Sequence, residues 1–188
     1  MIEVVLVHGA GQSPNTWSAL VPRLSHHCLV HTVTLPGHGG STTSDMSMAG
    51  MVECVKNQIK NLNNTIIIGH SLGGSIATFF PDALSIVMID ICEATALRSL
   101  ESLPMMISRR PRDFSDVEEA TTWYKRHNPQ CKIAKEAISG QLHLDIHTNK
   151  LTWNVDLLKT QPYWPSWFEG MDDRFLQCTN PLLILSDR

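Results

Sequence analysis

The sequence predicts an α/β fold, a mostly parallel sheet with helices on both faces. Two observations point there. Short β-branched runs alternate with segments of helical periodicity across residues 2–91, and those runs are apolar nearly throughout. A strand covered on both faces has no polar side to show, so it reads as a continuous apolar run rather than an alternating one.

Taken in order, "IEVVLVH" (2–8) is a strand bounded by "GAG". "NTWSALVPRLS" (15–25) has helical spacing through Trp17, Leu20, Val21 and Leu24, with Pro22 set against its continuation. "CLVHTVTL" (28–35) is the second strand and "PGHGGS" (36–41) ends it. "MAGMVECVKNQIKNL" (48–62) is a helix, apolar at Met51, Val52, Val55, Ile59 and Leu62. "TIIIG" (65–69), "SLGGSIATFF" (71–80) and "LSIVMIDI" (84–91) give strand, helix and strand. The rhythm then breaks. Residues 94–176 contain helical patches (95–110, 116–127 and 130–142) and no evident strand, and "PLLILSD" (181–187) restores the sheet. This divides the chain into core (1–93), helical cap (94–176) and returning core strand (177–188). A cap inserted there would cover the carboxyl ends of the strands, where open α/β sheets bind ligands.

The chain has 188 residues, enough for one domain with a real core, and a formal net charge of -3. That charge offers no basic field for nucleic acid. No apolar run approaches the length of a membrane span. The five cysteines are widely spaced without a CxxC pair, which favours reduced thiols and a cytoplasmic or nuclear setting.

Gly69, Ser71 and Gly73 form G-x-S-x-G between a branched strand and a small-residue helix. The triplet alone is weak, but this context is that of a nucleophile elbow. Ser71 would be lifted above the sheet on a strained turn, and the Leu72 N–H would face a developing oxyanion. The blander alternative is Ser71 as an ordinary helix N-cap. A second oxyanion donor is expected from Ala10 or Gly11 in "HGAGQSPNTW" (8–17), which lacks both the G-x-G-x-x-G and the G-K-S/T signatures of nucleotide loops. His8 is expected to order this loop by hydrogen bonding, and His38 and Gly39 to shape the neighbouring loop. For the acid that orients a base, Asp90 and Asp187 both stand at strand ends and the residues alone do not separate them; Asp90 could also cap the next helix, and Glu93 is a weaker competitor.

Four stretches carry a family resemblance: "LVHGAGQSPNTW" (6–17), "IIIGHSLGGSIA" (66–77), "IVMIDICEATALRSLESLPMMISRRPRDF" (86–114) and "LTWNVDLLKTQPYWPSWFEGMDDRFLQCTNPLLIL" (151–185). The first two are common among hydrolases and the last two are specific. Together they resemble the protein phosphatase methylesterase family of α/β-hydrolases, over essentially the whole chain. The resemblance implies Ser71 as nucleophile, Asp90 as acid and no metal or organic cofactor. The reaction it implies is hydrolysis of the methyl ester on the C-terminal leucine of the protein phosphatase 2A catalytic subunit, which makes that subunit and its tail the partner. Ala94 departs from the family's usual glycine, a change tolerated where φ is negative. The cap would form the groove for the tail, with Trp164 and Trp167 shaping either the ester pocket or the sheet-facing side of the cap. The run "RRPR", through Arg109 and Arg110, would attract a carboxylate or acidic tail.

The catalytic histidine is the missing piece. None of the nine histidines follows the last strand. His70 adjoins the serine and should point away from it, and His127, His143 and His147 lie in the insertion. The expectation is a parent domain shortened at both ends, with strands 4-3-5-6-7 of the usual hydrolase sheet remaining and turnover reduced by several orders of magnitude for want of that histidine. A generic small-ester carboxylesterase or lipase-like hydrolase and a non-catalytic phosphatase-binding remnant are the alternatives.

Overall fold

The apolar runs of residues 2–91 become neighbouring parallel strands in a computed structural model, which describes residues 1–129 and 133–186. In chain order these strands are β1 (Glu3–Val7), β2 (Leu29–Val33), β3 (Thr65–His70) and β4 (Ser85–Ile89). Between them lie α1 (Val21–Leu24), α2 (Met48–Lys56) and α3 (Leu72–Ala77). Alternate β1 residues serve opposite faces. Val5 and Val7 join a core with Ile67, Leu72, Ile76 and Met88, while Val4 and Leu6 pack with Trp17 beneath α1.

Two predicted helices are shorter than their periodicity suggested. The segment 15–25 divides into a 3-10 turn, Pro14–Trp17 capped by the Ser13 hydroxyl, and the single turn of α1. Pro22 has no N–H for the preceding turn and its ring crowds the carbonyl before it, so one continuous helix cannot form. The helix expected over 48–62 ends at Lys56.

The insertion is not wholly helical, which corrects the expectation of a cap without strands. It begins with α4 (Glu93–Ser99) and α5 (Leu103–Ser108), then alternates β5 (Asp113–Phe114), α6 (Val117–His127), α7 (Lys135–Ser139), β6 (Leu142–Asp145) and β7 (Lys150–Trp153). The three strands form an antiparallel sheet in the order β5-β7-β6. Phe114, Ala120, Ile138 and Leu142 are its buried core, with Trp123 and Trp153 against them. The helix expected over 130–142 is described from Lys135; residues 130–132, Cys131 among them, lie outside the described residues.

After a 3-10 stretch (Leu157–Tyr163), α8 (Trp164–Phe168) and α9 (Met171–Gln177) return to the main core, and β8 (Pro181–Ile184) closes the sheet. The order is β2-β1-β3-β4-β8, all parallel, which is the expected 4-3-5-6-7 arrangement. Leu182, Leu183 and Ile184 of the edge strand β8 are exposed.

Candidate active site

The turn from β3 into α3 is an elbow in the full geometric sense. Ser71 sits at φ 51° and ψ -120°, a conformation that a residue with a side chain adopts only when its surroundings impose it. The imposition comes from close backbone packing. A Cβ on Gly69 would overlap the Gly73 carbonyl, and one on Gly73 would overlap the Val7 carbonyl. The Ser71 N–H continues the ladder to the Ile89 oxygen at 3.0 Å. Its side chain makes no capping bond to α3, so Ser71 stands at the N-cap position without acting as an ordinary cap.

The turn after β1 lies against the serine. A Cβ on Gly9 would fall 3.2 Å from Ser71 Cβ. The Gly9 N–H donates to Gln12 Oε1 at 3.0 Å, and the Gln12 N–H returns to the Gly9 oxygen at 3.1 Å. The Gly11 N–H donates to His38 Nε2 at 2.9 Å, so of the two oxyanion candidates in this turn it is already engaged. Among the described residues, the N–H groups of Ala10 and Leu72 find no acceptor. Those are two backbone donors at the two turns that flank Ser71.

Asp90 lies one residue beyond β4, at φ 57°. Its N–H donates to the Ile184 oxygen at 2.8 Å, and its Oδ1 accepts the Ser186 hydroxyl at 2.8 Å. It does not cap α4, whose N-cap position is Cys92. Asp187, the rival acid, lies outside the described residues. Glu93 is committed elsewhere: its two carboxylate oxygens accept the N–H groups of Gly170 and Asp172, which hold its pKa below the usual value. Ala94 falls inside α4 and is not among the positive-φ residues, so the departure from glycine is accommodated.

The histidines divide by place. His70 presents Nδ1 to Gln12 Oε1 at 3.1 Å, turned toward the loop after β1. His8 and His38 are buried beneath that loop. In the cap, His127 bonds the Trp123 carbonyl, and His143 bonds Asn154 and Thr152. His147 lies in the exposed turn between β6 and β7.

Trp164 and Trp167 are buried in the main core, on the sheet-facing side of the cap. Trp167 donates to the Met46 carbonyl at 2.9 Å, and its own carbonyl accepts the Ser75 hydroxyl. Trp164 donates to Thr160 Oγ1 at 2.8 Å. Arg109 is exposed at the end of α5. Arg110 is half-buried, with its guanidinium 5.4 Å from the centre of the Trp153 ring. It lines a cavity of about 490 Å³ with Arg112, Trp153, Val155 and Leu157. Leu157 joins that cavity to the turn after β1, because a Cβ on Gly11 would meet its Cδ1 at 3.0 Å. Neither Gln12 nor Leu157 stood out in the sequence. Gln12 had a readable signal, a polar residue closing a glycine turn, whereas nothing near Leu157 marks it. Among the described residues, no group of three or more His, Cys, Asp or Glu is arranged to hold a metal, and no helix is long and apolar enough to cross a membrane.

A family model described as "Alpha/beta hydrolase family" matches residues 4–188. The chain is 32% identical over 193 residues to protein phosphatase methylesterase 1 of Candida albicans, covering 95% of this chain and 52% of that protein. It is 26% identical over 243 residues to protein phosphatase methylesterase 1 of Homo sapiens, covering 97% of this chain and 62% of that protein. The chain thus spans little more than half the length of the curated relatives it matches. Among solved structures, E-2-(acetamidomethylene)succinate hydrolase superposes with a TM-score of 0.74 at 19% identity, over 97% of this chain and 71% of that one. A marine microorganism esterase gives 0.68 at 16%, over 98% and 86%.

Proposed function

The chain belongs to the alpha/beta hydrolase family, and on that premise we propose that it is a serine carboxylesterase of the protein phosphatase methylesterase type. Its substrate in this reading is the methyl ester on the C-terminal leucine of the protein phosphatase 2A catalytic subunit. The observation that carries the proposal is Ser71, held at φ 51° with its side chain uncommitted to the helix behind it. An ordinary capping serine needs no such backbone, whereas a nucleophile presented to a substrate does. The relatives named protein phosphatase methylesterase 1 supply the substrate class.

In the intact enzyme of this type a histidine accepts the Ser71 proton as Oγ attacks the ester carbonyl, and Asp90 orients that histidine. The N–H groups of Leu72 and Ala10 receive the negative charge of the tetrahedral intermediate. Methanol leaves with the proton from the histidine, and water then cleaves the acyl-enzyme to free the leucine carboxylate. No metal or organic cofactor is required. Arg110 in the cavity beside Leu157, with exposed Arg109 next to it in the chain, would draw an acidic tail toward the turn after β1.

A second reading, a phosphatase-binding protein without turnover, is favoured by one observation. The rings of His8, His38, His127 and His143 are already bonded within their own loops or the cap. Triad members act as a unit, so an unassisted Ser71 would lose several orders of magnitude in rate.

One experiment separates the readings. The chain and its Ser71→Ala variant are incubated with a methyl-esterified phosphatase tail peptide, with p-nitrophenyl acetate and with a fluorophosphonate. Methanol release from the peptide, lost in Ser71→Ala, is the expected result. Turnover of the acetate alone would make the chain a generic carboxylesterase. Tail binding without turnover or labelling would establish the binding protein.

A further inference from the structure

Two buried histidines tie the loop after β1 to the loop after β2, and neither takes part in the mechanism above. His8 places Nδ1 2.9 Å from the Gly9 carbonyl, and its Nε2 lies 3.2 Å from the Leu35 N–H. His38 repeats the pattern, with Nδ1 2.8 Å from the Pro36 carbonyl and Nε2 2.9 Å from the Gly11 N–H. A ring nitrogen facing a carbonyl must donate, and one facing an N–H must accept. Both rings are therefore neutral, with the proton on Nδ1. Their centroids are 5.2 Å apart, and the two side chains are 0% and 1% exposed.

We propose that His38 is the positioning residue of the oxyanion loop: as a neutral imidazole its Nε2 takes the Gly11 N–H and fixes the Gly9–Gly11 turn, leaving the Ala10 N–H unbonded for the site at Ser71. This rests on the reading of Ser71 as nucleophile. The bond explains why two successive amides in a tight turn have different fates. The Gly11 N–H is held back by His38, and the Ala10 N–H is left without an acceptor among the described residues. The state is also pH-limited. A proton on His38 Nε2 would face the Gly11 N–H donor to donor, and the bond would be replaced by repulsion. The Gly9 and Pro36 carbonyls, which accept from Nδ1, favour a proton on these rings, but the larger effects run the other way. Burial opposes it on both rings, and His8 feels His38 and His70, all potential cations. Among the described residues no carboxylate contributes to either.

The test compares the full chain with His38→Gln, which keeps an acceptor near the Nε2 position, and His38→Leu, which removes it. Amide exchange at Gly11 and Ala10 is followed by NMR together with the His38 ring shifts, and the rate of Ser71 labelling by a fluorophosphonate is measured in the same samples. In the wild type, a protected Gly11 amide beside a fast-exchanging Ala10 amide is expected. His38→Leu should speed Gly11 exchange by roughly tenfold or more and slow labelling in proportion, while His38→Gln restores both. On acidification of the wild type, Gly11 protection should be lost at the pH where the His38 ring titrates, a readout that stands even where His38→Leu does not fold. A Gly11 amide that exchanges freely in the wild type, or is lost at a pH unrelated to the His38 titration, overturns the proposal. So does labelling of the wild type that proceeds equally fast in His38→Leu. A wild type that is protected at Gly11 yet never labelled leaves the clasp standing and removes the active-serine reading instead.

Discussion

Adding a methyl group at Gly73 would drive it into the Val7 carbonyl, which belongs to the sheet and has no freedom to move aside. Gly73→Ala should therefore destabilise the fold by about 3 kcal/mol or more, at the upper end of overpacking costs. Gly74→Ala meets the Ile91 Cγ2 methyl at 2.9 Å and the Gly69 carbonyl oxygen at 3.2 Å, both wider than the approach to the Val7 oxygen at Gly73, and should cost less. Urea unfolding of the two variants checks the order, and equal costs would count against the elbow as a backbone-on-backbone contact. Among the described residues, three non-glycine residues have positive φ, and two of them are Ser71 and Asp90. Strain concentrated at the proposed nucleophile and acid implies a trade between stability and activity. Ser71→Gly relieves the strain while deleting the hydroxyl, so it should raise unfolding stability by about 1 kcal/mol and abolish labelling. A destabilised Ser71→Gly would mean that the hydroxyl makes a contact worth more than the strain.

Glu93 joins the end of the core sheet to the start of α9 by a reciprocal arrangement. Its carboxylate accepts the N–H groups of Gly170 and Asp172, and the Asp172 carboxylate accepts the Glu93 N–H at 3.1 Å. Two helix starts distant in sequence satisfy each other's unpaired donors in this way. Glu93→Gln keeps the shape and removes the charge, so amide exchange in α9 should accelerate while that in β1 and β3 stays unchanged; uniform acceleration would mean the clamp is not local. This clamp was not legible in the sequence, because its partners are far apart and look like ordinary surface acids. The elbow was legible because its sequence signals are local: a branched strand, glycines at fixed offsets and a small-residue helix. The strands β6 and β7 fell between these extremes. "LHLD" and "KLTW" alternate apolar and polar residues, the signal of a half-exposed strand, and Asn149 at φ 55° closes their turn. Four residues are too few to stand out beside helical patches on either side. Arg174, over the Phe79 ring at 4.1 Å, and Leu157 against Gly11 were likewise invisible, since both contacts depend on where the cap folds back.

For the molecule as a whole, the buried histidines set a pH limit distinct from that of its carboxylates. Burial first, and then the nearby His38, lower the His8 pKa from 6.5 to about 3, and burial lowers that of His38. A group whose folded value is depressed takes up its proton more readily in the unfolded chain. The stabilisation from two neutral histidines is therefore complete above their ordinary value of 6.5 and is lost as the pH falls toward the folded values. Each histidine contributes a slope of up to about 1.4 kcal/mol per pH unit, and for His8 the full loss is of the order of 4–5 kcal/mol. That is comparable with the whole stability of many domains. Glu93 acts lower on the scale. Its value is depressed from 4.5, so its contribution persists above that pH and fades only as the pH falls through its folded value. The interval between 6.5 and 4.5 thus isolates the histidines from this clamp. Urea unfolding across that interval should show stability falling with acid, and His8→Gln, which cannot take up a proton, should flatten the slope by about one proton's worth. A profile flat between these values in the wild type would show that the two loops part from their histidines without global cost. In that case acid would open the oxyanion turn while leaving the sheet beneath it folded.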